Sequence, residues 1–252
     1  MFRFWAGPDR ASEVSPPWWI GFTALIYPPR CCFCRSPVDV QRRAFLCPDC
    51  ERELRWISAP QCPGCGLPYP AGGSSHLCED CLRRPPFYDQ ARAVVVYQGQ
   101  VTGAIHRFKY RKEYLLTEVL GWLGNRLQWE KPDFDYLIPV PLHPKRLRER
   151  GFNQALLFSK ALEDIPPGKI KPGILKRIRH TPPQVRLNPD ERRQNVRGAF
   201  ELKDPDGVRG KNILLVDDVF TTGATVNECA RVLKKAGAGQ VSVVTLARVV
   251  AP

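Results

Sequence analysis

Four apolar residues, Ile213 to Val216, run directly into two carboxylates, Asp217 and Asp218. Past Val219 and Phe220 come Thr221, Thr222, Gly223, Ala224 and Thr225. A short uninterrupted apolar run of this kind reads as a strand buried on both faces, as in a parallel sheet. The Thr-Thr-Gly turn then opens a helix whose apolar positions continue to Ala236. In open α/β sheets, ligands bind beyond the carboxyl ends of the strands. There the unpaired N–H groups of the next helix form an anion site. Small residues let an anion approach the backbone, and Thr hydroxyls add donors. Twin carboxylates beside an anion site suit a ligand that also brings hydroxyl groups, or Mg²⁺ shared with phosphate oxygens. One Asp would suffice to cap the helix, so capping does not account for the whole constellation.

Other periodic segments extend the pattern. Ala93–Tyr97, Tyr136–Val140 and Val241–Arg248 read as strands. Val101–Leu127 and Asn153–Leu162 carry apolar residues at helical spacing. This alternation predicts a parallel sheet with helices on both faces. Residues 164–198 are polar, basic and Pro-rich, and read as a long mobile loop with short elements.

The charge is unevenly placed. The chain carries a net +13, and Leu142 to Gly198 holds fourteen Lys/Arg against five Asp/Glu. Such a surface attracts polyphosphates or nucleic acid. The loop Pro139-Val140-Pro141-Leu142 leads into Lys145, Arg146, Arg148 and Arg150, with Asn153 and Gln154 behind them. Arg177, Arg179, Gln184, Arg192, Asn195 and Arg197 stud the later stretch. The candidates for a polyphosphate are therefore Pro141, Lys145, Arg146, Arg150, Arg177, Gln184, Arg192 and Asn195. Of the four histidines, His143 and His180 stand in basic loops within reach of such a group, and His106 reads as helix surface or packing. Neither a G-x-G-x-x-G nor a P-loop sequence occurs.

Eight of the ten cysteines form four C-x2-C pairs: Cys31/Cys34, Cys47/Cys50, Cys62/Cys65 and Cys78/Cys81. Twelve residues separate the first two pairs, and twelve the last two. This is a tetrahedral Zn²⁺ pattern presented twice, with two structural ions and no open coordination position. Spacing allows sequential tetrads or a crossed pairing, and Cys32 is an alternative to Cys31. His76 is a spare ligand, and Cys229 reads as a buried small hydrophobe.

The segment Ile213–Thr225 resembles the phosphoribosyl pyrophosphate (PRPP) motif of type I phosphoribosyltransferases. That resemblance implies Asp217 and Asp218 at the ribose hydroxyls and Thr221 to Thr225 at the 5-phosphate, with Mg²⁺ accompanying PRPP. Phe220 is the bulkiest departure from the motif and is tolerable if its ring enters the core. Three longer runs narrow the likeness: Pro141 to Gln154, Arg179 to Gln184 and Glu191 to Phe200. With the cysteine pairs, they resemble the ComF family over about residues 18–250. The likeness implies a double zinc-ribbon or knuckle module at 31–86 and a phosphoribosyltransferase-like α/β domain at 87–252, with an amphipathic segment inside residues 1–30 (Trp18–Tyr27). It implies a role in uptake of transforming DNA and a transferase label that does not by itself fix a reaction. Two other readings stay open: a metabolic phosphoribosyltransferase acting on a nucleobase or amine, and a non-enzymatic adaptor for single-stranded DNA. Single-stranded DNA and a competence helicase are the macromolecular partners this implies. No apolar stretch approaches the roughly 18 residues of a membrane span, and no secretory pattern opens the chain, so the expected location is the cytoplasm.

Overall fold

The computed structural model describes residues 28–39, 46–70, 73–111, 113, 116–127, 133–182 and 188–250. The segment Trp18–Tyr27 and the candidate Gln184 lie outside them. In chain order the elements are α1 (Pro48–Arg52), α2 (Glu79–Arg83), β1 (Gln90–Val96), α3 (Gly99–Arg111) and α4 (Leu116–Gly124). Then come β2 (Tyr136–Pro139), α5 (Pro144–Arg150), α6 (Gln154–Ala161), β3 (Leu175–Arg177), α7 (Pro189–Val196) and β4 (Phe200–Leu202). β5 (Ile213–Phe220), α8 (Ala224–Lys235) and β6 (Val241–Arg248) complete the described fold.

The apolar runs form a four-stranded sheet in the order β1-β6-β5-β2, parallel throughout. β6 is buried at every position, as a strand covered on both faces must be. Period-two alternation sorts the side chains of β5: Leu214 and Val216 enter one core, Ile213 and Leu215 the other. α3, α4 and α6 cover the first face through Phe108, Leu120 and Phe158. α8 covers the second through Cys229 and Leu233, together with the antiparallel pair β3–β4. Each fully buried Leu or Phe contributes about 1.5–3 kcal/mol, so the sheet is held mainly by these two layers.

The two cysteine modules join opposite cores, the first with Phe108 and Leu120, the second with Cys229 and Leu233. Between the modules, Arg55–Ile57 pairs antiparallel with the outer side of β1: Ile57 N–H donates to Val94 O at 2.9 Å, and Val96 N–H to Arg55 O at 2.8 Å. An otherwise open sheet edge is thereby covered.

Three expectations change in detail. The periodic stretch Val101–Leu127 is two helices, because the chain turns between them at Glu113, whose carbonyl accepts the Leu116 N–H while its carboxylate meets Arg35 and Arg107. The strand read as Ile213–Val216 runs on to Phe220, because pairing with β6 continues from Asp217↔Thr245 to Phe220↔Arg248. Within 164–198 the described residues include β3 and α7, the latter closed by a capping box between Asn188 and Glu191.

Candidate functional site

The twin acids lie in the last half of β5, where parallel pairing carries them to the carboxyl edge of the sheet. Asp217 Oδ1 accepts the Asp218 N–H at 2.9 Å. Lys109, from α3, places its Nζ 2.7 Å from Asp218 Oδ2. Burial and the adjacent Asp218 push the Asp217 carboxyl up to about 7. Burial works against the Lys109 ammonium, yet Asp218 and then Asp217 hold it above the ordinary lysine range. The pair is therefore an anionic centre already partnered by one cation.

The turn that follows is shaped by one residue without a side chain. Gly223 has φ +72° and is the N-cap of α8; a Cβ there would meet Phe220 Cζ at 2.5 Å. Only glycine combines the left-handed backbone with so close an approach. The Phe220 ring is buried beneath the turn, edge-on to Tyr88, which is how the motif accommodates its bulk. No side chain caps α8. Thr222 Oγ1 is buried without a hydrogen-bond partner among the described residues. A buried hydroxyl of that kind costs free energy unless something else satisfies it, so it fits an oxygen-rich ligand at the turn.

Next to this rim opens a cleft of about 310 Å³ lined by Lys109, Tyr110, Lys145, Arg146, Glu149, Arg150 and His180. Pro141, buried, starts the loop that feeds it. α5 begins with His143 Nδ1 accepting the Lys145 N–H at 3.2 Å, and ends on Gly151 in the left-handed conformation. Lys145 is exposed, while Arg146 donates to Thr181 O at 3.1 Å and Arg150 to Gln154 Oε1 at 3.0 Å. Asn153 fixes the loop from behind: its Nδ2 donates to Val140 O at 3.0 Å and its Oδ1 caps α6. Gln154 Nε2 is a second buried polar atom without a partner among the described residues.

Arg177 sits at the end of β3 and donates to Thr181 Oγ1 at 2.6 Å. Burial, then the neighbouring Arg146, lowers its pKa. Lys145, Arg146 and Arg150 thus share the cleft with Lys109, the partner of Asp218, and Arg177 is joined to Arg146 through Thr181. Asn195 instead donates to Pro182 O at 3.2 Å, and its own carbonyl accepts from Arg179, so it ties the loop to α7. Arg192 lies on α7, and neither residue lines the cleft. His143 and His180 meet edge-on with ring centroids 5.2 Å apart, and His106 lies tilted against Tyr110 at the surface.

Lys109 and Tyr110 on α3, with Glu149 on α5, are the cleft residues that sequence reading missed. On α3 the only local signal is a pair of polar positions on an otherwise amphipathic helix. The position of Lys109 beside Asp218 comes from packing α3 against the sheet.

The cysteines resolve into sequential tetrads, Cys31/Cys34/Cys47/Cys50 and Cys62/Cys65/Cys78/Cys81, each with its four sulfurs within 4.8 Å of one another. Cys34–Cys47 and Cys65–Cys78 are 3.6 Å apart, close to the roughly 3.8 Å edge of a tetrahedron built on Zn–S bonds of about 2.3 Å. Backbone N–H groups of Phe33 and Cys47 point at Cys31 Sγ, and that of Cys78 at Cys62 Sγ, as suits thiolates. The donor set fits two structural Zn²⁺ ions, each with a closed shell. Cys32 is not part of a tetrad, and burial raises its thiol to about 11. His76 turns away to Ser74 O and stacks on Tyr69.

Comparison with known proteins agrees with both halves of this description. Residues 22–82 match the double zinc ribbon domain, and residues 175–251 the phosphoribosyl transferase domain. Competence protein F of Haemophilus influenzae is 34% identical over 231 residues, covering 87% of this chain and 96% of that protein. DNA utilization protein YhgH of Salmonella typhi is 33% identical over 246 residues, covering 89% and 99%. Competence protein ComFC of Bacillus subtilis is 31% identical over 169 residues, covering 63% and 64%. With similarity running through ribbons, cleft and turn alike, the chain belongs to the ComF family of phosphoribosyltransferase-like proteins.

Proposed function

We propose that this protein binds PRPP together with Mg²⁺ and acts in the handling of incoming single-stranded DNA. The carrying observation is the juxtaposition at one sheet edge of an uncapped helix amino end, a buried unpartnered Thr222 hydroxyl, twin acids and a cationic cleft. In this reading the amides and hydroxyls of Thr221 to Thr225 hold the 5-phosphate. Asp217 and Asp218 accept hydrogen bonds from the ribose hydroxyls, and Lys109 exchanges its partner as they do so. Lys145, Arg146, Arg150 and Arg177 face the pyrophosphate. Mg²⁺, when bound, would supply charge that neutralises the pyrophosphate, with Asp217 and Asp218 as the nearby carboxylates.

Should the C1–O bond to pyrophosphate break, its electron pair leaves with the pyrophosphate, and the cations stabilise that charge as it develops. The acids at the same time balance positive charge on the ribose ring. No proton transfer is required of the protein for that step. Transfer to an acceptor is therefore within the chemistry of the site.

The named relatives include competence and DNA utilization proteins, which support the nucleic-acid part of the reading. So does the basic stretch 142–198. No helix of the described residues is long and apolar enough to cross a membrane. The proposed place of action is the cytoplasm, with a competence helicase as partner. Isothermal titration of the zinc-loaded protein with PRPP and Mg²⁺ tests the binding claim. Saturable one-to-one heat is expected, and a flat titration with protein verified as folded contradicts it.

A further inference from the structure

One buried guanidinium connects the second cysteine tetrad to the phosphate turn. Arg248, the last residue of β6, is 6% exposed. Its Nη1 donates to Cys65 O at 2.5 Å, and its Nη2 reaches Cys65 Sγ at 3.4 Å. Its Cζ lies 4.3 Å from the centroid of the Phe220 ring, the residue it faces across the sheet register. That ring in turn lies under Gly223, close enough to exclude a Cβ. A continuous stack therefore runs from a metal-ligating cysteine, through Arg248 and Phe220, to the residue that starts α8.

Packing alone does not call for an arginine here. A buried guanidinium is costly unless its donors and charge are matched, and Nε has no partner among the described residues. An aliphatic side chain would fill the space over Phe220 without that cost. What arginine adds is a bond to a ligand carbonyl and attraction to the thiolate cluster beside it. Both depend on Cys65 being held where the tetrad holds it. Among the described residues the first tetrad is tied instead to α3, through Arg107, which donates to the Cys32 and Phe33 carbonyls.

We propose that Arg248 is a positioning residue through which the second tetrad sets the shape of the phosphate turn. Its consequence for PRPP rests on the binding site described above. Loss of metal from Cys62, Cys65, Cys78 and Cys81 would free Arg248 and loosen the Phe220 ring under Gly223. Affinity for the phosphorylated sugar then becomes dependent on zinc at the second ribbon.

The test uses the full zinc-loaded chain and two variants. Arg248→Met keeps a long apolar cover over Phe220 and removes the donors; Arg248→Lys keeps the charge and one donor group. Two zinc ions per chain are verified by elemental analysis in each. Without ligand, amide hydrogen exchange across 221–226 is expected to be about tenfold faster in Arg248→Met and intermediate in Arg248→Lys, with 213–219 unchanged. The dissociation constant for PRPP is expected to rise by about tenfold in Arg248→Met. A folded Arg248→Met protein with two zinc ions and exchange at the wild-type rate overturns the proposal. So does an accelerated turn whose PRPP affinity is unaltered in a wild-type protein that binds. Faster exchange in a chain whose wild type binds no PRPP supports the coupling and instead refutes the ligand assigned to the turn.

Discussion

The two zinc ribbons share one ligand spacing and one local fold but are attached to the molecule in different ways. Their knuckles superimpose in sequence: Arg35 follows the second cysteine of the first ribbon at φ +71°, and Gly66 follows that of the second at φ +72°. A side chain is tolerated at Arg35, where it reaches Glu113 at 2.5 Å. At Gly66 a Cβ would stand 2.5 Å from the Ala91 carbonyl oxygen, because the knuckle lies directly on β1. Ala91 N–H donates to Gly64 O at 2.7 Å in the same contact. Cys34 is exposed, whereas all four ligands of the second ribbon are buried. Metal geometry is thus set by the spacing, and what a ribbon does for its neighbours is set by the residues around it.

Breaking the ligands should separate the two modules most. Replacing Cys62 by Ala is expected to remove one zinc and several kcal/mol of stability, since structural Zn²⁺ binding is worth roughly 10–16 kcal/mol and the freed site lies in the core. Cys34→Ala, at an exposed ligand, is expected to lose zinc with a smaller fall in melting temperature. Calorimetry with zinc analysis makes the comparison, and equal losses would mean that burial of the ligands is irrelevant.

Adding a single methyl group sharpens it further. Gly66→Ala and Gly223→Ala both combine positive φ with a 2.5 Å clash, against a backbone oxygen in the first case and an aromatic ring in the second. Each is expected to cost about 1–3 kcal/mol in denaturant unfolding. Gly223→Ala should also abolish PRPP binding by moving the turn. Gly173→Ala, with open space around it, serves as the control.

The pH axis distinguishes the sheet rim from the ribbons. Asp217 is raised to about 7 in the folded protein by burial and by Asp218, above the roughly 3.9 of an unfolded chain. The folded state therefore holds a proton that the unfolded chain releases. The resulting stability is fully present below about pH 4 and is lost as pH rises through about 7. Asp217→Asn is expected to raise the melting temperature by a few degrees at pH 8, an advantage that shrinks steadily toward pH 5. Binding of PRPP with Mg²⁺ should strengthen over the same window, as the carboxylate ionises. A melting-temperature difference that does not change with pH would contradict the assignment.

The smallest effect is expected at Arg35→Gly. It relieves a left-handed backbone worth about 1 kcal/mol but deletes a half-exposed ion pair of at most about 1 kcal/mol, so the net change should stay near zero.

The same contrast explains what could be read in advance. The tetrads, the strand Val241–Arg248 and the turn from Asp217 to Thr225 are contiguous patterns whose chemistry depends on neighbours in sequence. Sequential pairing of the cysteines was one of two arrangements the spacing allowed, and the packing of each ribbon on its own core decides between them. Lys109 meets Asp218 from a helix remote in sequence, and Arg248 looks like any basic residue ending a strand. Their roles come from docking of distant segments, which leaves no local trace. The continuous apolar period across 101–127 likewise hid the break at Glu113, because an ion pair supplied from the first ribbon helps to turn the chain there. Among the basic candidates, charge alone did not separate Arg150, which lines the cleft, from Arg192, which stands on α7.

A crystal structure of the zinc-loaded protein soaked with PRPP and Mg²⁺ tests the central claim most directly. The account expects the 5-phosphate on the amides of Thr221 to Thr225, the ribose hydroxyls at Asp217 and Asp218, and the pyrophosphate among Lys145, Arg146 and Arg150. PRPP bound elsewhere, with Lys109 still paired to Asp218 and the turn empty, would contradict it.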